Sequence, residues 1–179
     1  MIELMVVVAV AGILTTIAVV GYTKVFRKAR SSEVVAMFAE LKSKEELYKA
    51  EFGRYLPICR APSGSQWQDC AEDDNQYWPT PLPGAGQQMA ATPLPARWQQ
   101  IRPKISSGGL YCQYQVVAGI AGDRTGMGDV GTALFGTDAP ARNWFYLMAQ
   151  CDWDGTPSIN ATYWQRDDWE GLDKTNEGR

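Results

Sequence analysis

Between Glu3 and Lys24 the chain carries no charge, and from Leu4 to Val20 its only polar side chains are Thr15 and Thr16. As a helix rising ~1.5 Å per residue that run reaches ~25 Å, close to the ~30 Å hydrocarbon core of a bilayer. The run predicts a membrane-spanning or helix-bundle segment. Glu3 stands at its edge, where an ionisable group is costly unless paired. The first Lys or Arg is Lys24, ~30 Å along the same helix. The nearest cation is the α-amino group of Met1, and an identical neighbour supplies another. The opening therefore points to self-association, while a plainer reading leaves Glu3 among lipid head groups.

A length of 179 residues with 45% hydrophobic content accommodates one such segment and one domain with its own core. Histidine is absent, which removes His-based triads, most zinc-hydrolase sites and the usual near-neutral general base. No GxxxxGK[ST] or GxGxxG stretch appears either, so a non-enzyme is expected. The net charge of −3 is uneven: Lys24, Arg27, Lys28 and Arg30 crowd behind the apolar run, and Asp and Glu exceed Lys and Arg beyond Phe52. That acidic remainder argues against a nucleic-acid partner.

Four cysteines, Cys59, Cys70, Cys112 and Cys151, all follow the apolar run, with no CxxC spacing and no His to complete a metal set. Two disulfides in an exported domain are the expectation. The basic cluster lies on the head side of the run, which the positive-inside rule would assign to the cytoplasm. An upstream basic leader, absent from this sequence, would reconcile the two signals.

Helical periodicity continues through Tyr22, Val25, Phe26 and Ala29, then Val34, Met37, Phe38, Leu41, Tyr48 and Phe52, with Gly53 as the stop. One helix over about residues 1–52 would reach ~78 Å. From Tyr55 to about Lys104, eight of the ten prolines mark a long loop with little regular structure. Trp67, Tyr77, Trp78, Met89 and Trp98 within it are expected to pack on the body instead of forming an aromatic binding track. Three strands are predicted: Leu110 to Ile120, Asn143 to Trp153 and Ser158 to Arg166, the last two joined by a tight turn over Asp154-Gly155-Thr156-Pro157. The fold class is α+β, a small antiparallel sheet laid on the second half of a very long helix. Its parts are 1–21, the membrane or filament-core half; 22–53, the amphipathic half; and 54–179, an extracellular head. Cys112 and Cys151 fall on strands that can adjoin, so Cys112–Cys151 and Cys59–Cys70 are the expected bonds.

MIELMVVVAVAGILTTIAVVGY resembles the N-terminal segment of type IV pilins and of the related type II secretion pseudopilins, where Phe-Thr-Leu precedes Ile-Glu-Leu-Met and a Gly-Ile-Leu follows. GYTKVFRKARSSEVVAMFAELKSKEELYKAEFGRYLP is similar to that family's amphipathic helix and its exit through Tyr48, Phe52, Gly53, Tyr55 and Pro57. The likeness is specific over about the first 57 residues. WFYLMAQCDWDG more loosely resembles the last strands of some larger pilin heads. Two departures stand out: Met1 replaces the family's Leu, and Val20 replaces its helix-breaking Pro, which favours an unbroken helix.

The resemblance implies a filament subunit that leaves the inner membrane through a pilus assembly machinery and stacks with identical copies. Met1, Glu3 and Gly12 would then serve assembly, Glu3 pairing with the terminal amine of an adjoining subunit. Motility, adhesion or surface attachment would follow for a pilus; a secretion pseudopilus and a single-span anchored binding domain are the alternatives. Because related pseudopilins hold calcium in their final loops, Asp152 and Asp154 in Asp152-Trp153-Asp154-Gly155-Thr156 are calcium candidates, with Asp167 or Asp168 as a third carboxylate. A solvated Asp-Gly turn is the plainer reading.

Overall fold

The apolar spacing that begins in the first residues produces a helix, α1 (Ile2–Phe52), of 51 residues. No proline interrupts it, and at ~1.5 Å per residue it extends ~76 Å. It ends where the sequence says it should: Gly53 has φ of +73°, a left-handed conformation that a Cβ disfavours, and its N–H donates to the Lys49 carbonyl at 2.8 Å. The structure is a computed structural model, described for residues 2–58, 78–84, 86–91, 93–105, 108–124, 126–153, 155 and 160–176, without the side chains of residues 2, 19–21, 23, 24, 26 and 27. Among the described residues, no helix is long and apolar enough to cross a membrane.

The head is α+β. After a two-residue strand β1 (Met89–Ala90) and a single-turn helix α2 (Trp98–Ile101) come β2 (Gly109–Leu110), β3 (Cys112–Gly119), α3 (Gly128–Phe135), β4 (Trp144–Cys151), β5 (Ala161–Arg166) and β6 (Asp173–Thr175). β1 and β2 pair as a small ribbon, and β3-β4-β5-β6 form an antiparallel sheet in chain order. The predicted strands are therefore present but shorter. A fourth strand joins them, and the Gly-rich stretch between β3 and β4 holds a helix that its composition concealed. The Pro-rich segment also contains α2 and β1, more regular structure than expected there. Its described tryptophans, Trp78 and Trp98, are buried with ring centroids 5.1 Å apart. Packing is their role; Trp67 and Tyr77 lie outside the described residues.

Both faces of the sheet are covered. Tyr114, Val116, Phe145, Leu147 and Ala149 share one cluster with Val34, Met37, Phe38 and Leu41 of α1. The alternate residues Val117, Trp144, Tyr146 and Met148 form a second with Met127 and, at its edge, Leu134 and Phe135 of α3. A two-sided burial explains why β4 reads as an almost unbroken apolar run instead of a period-two alternation. α3 approaches the sheet closely because Gly131 lacks a side chain: a Cβ there would stand 2.3 Å from Met127 Cγ and 2.9 Å from Tyr146 Cε1.

Candidate functional site

The described apolar side chains in the first half of α1 face outward. Leu4 and Met5 are 71% and 74% exposed, and Val10, among the better covered of this stretch, is still 50% exposed. Covering such side chains is worth roughly 1.5–3 kcal/mol each when it is complete. The two threonines do not spoil the apolar surface, because Thr15 Oγ1 donates to the Ala11 carbonyl and Thr16 Oγ1 to the Ile13 carbonyl, both at 2.7 Å. Glu3 is exposed in the first turn of the helix, where the helix dipole favours a negative charge. Met1 lies outside the described residues, so the Glu3–amine pairing does too. A Cβ at Gly12 would meet nothing within 4 Å.

The second half is docked by a different chemistry. Alongside the buried stripe Val34, Met37, Phe38 and Leu41, three glutamates of α1 accept backbone N–H groups from head segments. Glu33 takes Tyr111 N–H at 3.0 Å and the Tyr114 hydroxyl at 2.8 Å, Glu40 takes Lys104 N–H at 2.9 Å, and Glu45 takes Leu56 N–H at 2.8 Å. Burial raises the Glu33 carboxyl above its ordinary range against these bonds. Burial pushes Glu45 further, to about 8, opposed by the Leu56 N–H and assisted by neighbouring Glu46. Glu45 is fully buried, and its Oε1 has no hydrogen-bond partner among the described residues. Such a group is carried neutral at pH 7. At the lower end of the head the Arg30 guanidinium lies 4.9 Å from the centre of the Tyr111 ring. At the upper end Lys49 donates to the Tyr55 hydroxyl, which donates to Glu46, each at 2.7 Å.

Of the residues singled out from the sequence, Cys112 and Cys151 are brought together. They face each other across β3 and β4 and are bonded, with Cα atoms 4.4 Å apart. Cys59 and Cys70 lie outside the described residues. Of the calcium candidates, the described residues do not bring Asp152 together with Asp167 or Asp168. Asp152 spends Oδ1 on Gly155 N–H at 2.6 Å, a local turn, and Asp154 lies outside the described residues. Asp167 and Asp168 are at the opposite end of the sheet: Arg166 pairs with Tyr146, whereas Ala161 pairs with Cys151, next to Asp152. The five steps between those pairs span ~17 Å at ~3.3 Å per residue, and the carboxylates lie beyond either end. Asp168 binds Arg142 Nη2 at 2.6 Å instead, and Asp167 lies 3.4 Å from the same nitrogen. Among the described residues no group of three His, Cys, Asp or Glu is placed to hold a metal ion.

Sequence reading missed the glutamate clamps. One signal was present: Glu45 stands four residues after Leu41, on the apolar stripe itself, where a carboxylate must find a donor or a proton. No family model matches the chain, and no curated protein or solved structure matches it either.

Proposed function

We propose that the chain is the structural subunit of an extracellular filament of the type IV pilus kind, formed by bundling the N-terminal halves of α1 from identical copies. One observation carries the reading: a single helix is docked on a folded head through its second half and leaves an uncovered apolar surface along its first. Cover of matching polarity is a set of equivalent helices, or lipid before assembly. That puts the chain at the inner membrane, head outside the cytoplasm, until an assembly machinery transfers it to the fibre. Glu3 of one copy then faces the terminal amine of another. An ion pair in an apolar core is costly to leave half-made and so selects the register in which both charges meet. The Cys112–Cys151 bond suits a domain exposed to an oxidising exterior. With a head of this size, it favours a pilus subunit serving attachment or motility over a compact pseudopilin.

Electron microscopy of sheared surface fibres, with mass spectrometry of their main band, tests the proposal directly. Fibres without this chain would count against it. Glu3→Ala is expected to leave the melting of the head unchanged and to reduce fibres strongly; abundant normal fibres from that variant would remove Glu3 from the assembly step.

A further inference from the structure

Lys24, Arg27, Lys28 and Arg30 stand close together in α1, and no Asp or Glu lies between Glu3 and Glu33. The structure divides these cations. Arg30 is half-buried and belongs to the head, its guanidinium over the Tyr111 ring. Lys28 is exposed and makes no ion pair among the described residues. Glu33, the first carboxylate above it, is occupied by Tyr111 N–H and the Tyr114 hydroxyl. Positions 24, 27 and 28 have the three- and four-residue spacing that places them on one flank of the helix. Ser31 extends that flank and turns its hydroxyl back to the Lys28 carbonyl at 2.9 Å. Like charges at this spacing destabilise a bare helix, so an anion from outside the chain is favoured there.

The place of this flank along the helix selects the anion. From Glu3 to Lys24 the chain is uncharged over ~30 Å, about the thickness of a hydrocarbon core. Just past the end of the apolar run Tyr22 is 65% exposed, and Lys24 to Lys28 follow ~6–12 Å beyond Val20 along the axis. An aromatic ring followed by long basic side chains is the composition of a membrane–water interface, where such side chains reach back to the headgroup layer, ~5–8 Å thick on each side. A basic cluster on the head side opposes the positive-inside bias, so its position calls for a local anion. We propose that Lys24, Arg27 and Lys28 form a collar that binds the anionic phospholipid headgroups of the head-side leaflet before the chain enters a fibre. The proposal rests on the reading that the first half of α1 is seated in lipid before assembly, and adds the class of lipid. Each cation at an anionic surface strengthens attachment roughly fivefold, and salt screens the effect. Glu33, the lowest of the docking carboxylates, then stands ~8 Å above Lys28, away from a surface that would repel it.

The full chain, reconstituted into phosphatidylcholine vesicles with a trace of spin-labelled phosphatidylglycerol or spin-labelled phosphatidylcholine, tests this through the fraction of label that the protein slows. The expected result is a preference for phosphatidylglycerol of at least ~threefold at low salt, abolished in molar salt and in the triple variant Lys24→Gln, Arg27→Gln, Lys28→Gln. Glutamine is as good a helix former as lysine and arginine, so the head should melt at the same temperature in that variant; the salt comparison needs no variant at all. Equal slowing of the two lipids overturns the collar and leaves the lipid-seated helix standing. Slowing of neither overturns both. A preference that survives the triple substitution overturns the assignment to these residues, and if that variant also loses its fibres, the three cations face another copy of the chain instead of lipid.

Discussion

The two halves of α1 are one continuous helix in two opposite situations. Above Arg30 one apolar stripe is covered: Val34 and Leu41 are 0% exposed, against the sheet. Below it, equally apolar residues such as Leu4 and Met5 face outward. Backbone hydrogen bonding is the same in both, so the helix itself does not distinguish them. The difference lies in what the polar positions do. In the upper half Glu33, Glu40 and Glu45 reach across to head backbone, whereas in the lower half Thr15 and Thr16 turn their hydroxyls inward on their own helix. A surface that conceals its polar groups is built to be covered by something apolar; a surface that extends them fixes a partner in register.

Truncation gives the largest contrast. Leu41→Ala, in the covered half, should cost the isolated chain ~2–5 kcal/mol through lost transfer energy and a cavity. Leu4→Ala should stay within ~0.5 kcal/mol in the same melt, as exposed substitutions do, yet lower fibre yield. Equal stability losses at the two sites would erase the distinction between the halves.

Next in size is the pH dependence of the docking. Glu45 has its folded-state pKa raised to about 8 from an ordinary value of 4.5, so the folded chain keeps a proton that the unfolded chain releases. Its contribution is complete below pH 4.5 and is lost progressively as pH rises through about 8. Stability should therefore fall across that window, and Glu45→Gln should flatten the fall. A variant whose melting temperature declines as steeply as the wild type between pH 5 and 8 would show that Glu45 is not the group responsible.

Smallest is Gly12→Ala. The added methyl meets nothing in the chain and replaces a poor helix former, a gain of at most ~1 kcal/mol. A drop in fibre yield without any loss of melting temperature would place a close neighbour at Gly12. Unchanged fibres would show that the position is open in the assembly too.

The long helix and its end at Gly53 were legible because periodicity and a glycine stop are local signals. The Cys112–Cys151 bond followed from recognising two strands that can adjoin. The helix α3 was not legible: Gly126, Gly128, Gly131 and Gly136 look like a loop, but Gly131 is there for contact with the sheet, which only the assembled fold reveals. The clamps were hidden for a related reason, since their donors are main-chain N–H groups that carry no residue identity. The third carboxylate sought for Asp152 lay elsewhere for a reason of direction. Antiparallel pairing carries Asp152 and Asp167 to opposite ends of the sheet although they are close in sequence.

The three glutamate bonds also settle how the head resists a pull. Glu33, Glu40 and Glu45 are spread along ~18 Å of the helix axis at ~1.5 Å per residue, with their bonds reaching sideways to three separate segments. A force drawn along the helix shears all three together, so the load is shared. A force prying the head away from the rod would instead reach them one after another, and the attachment would open like a zip. The head should accordingly hold better against tension along the helix than against a sideways peel.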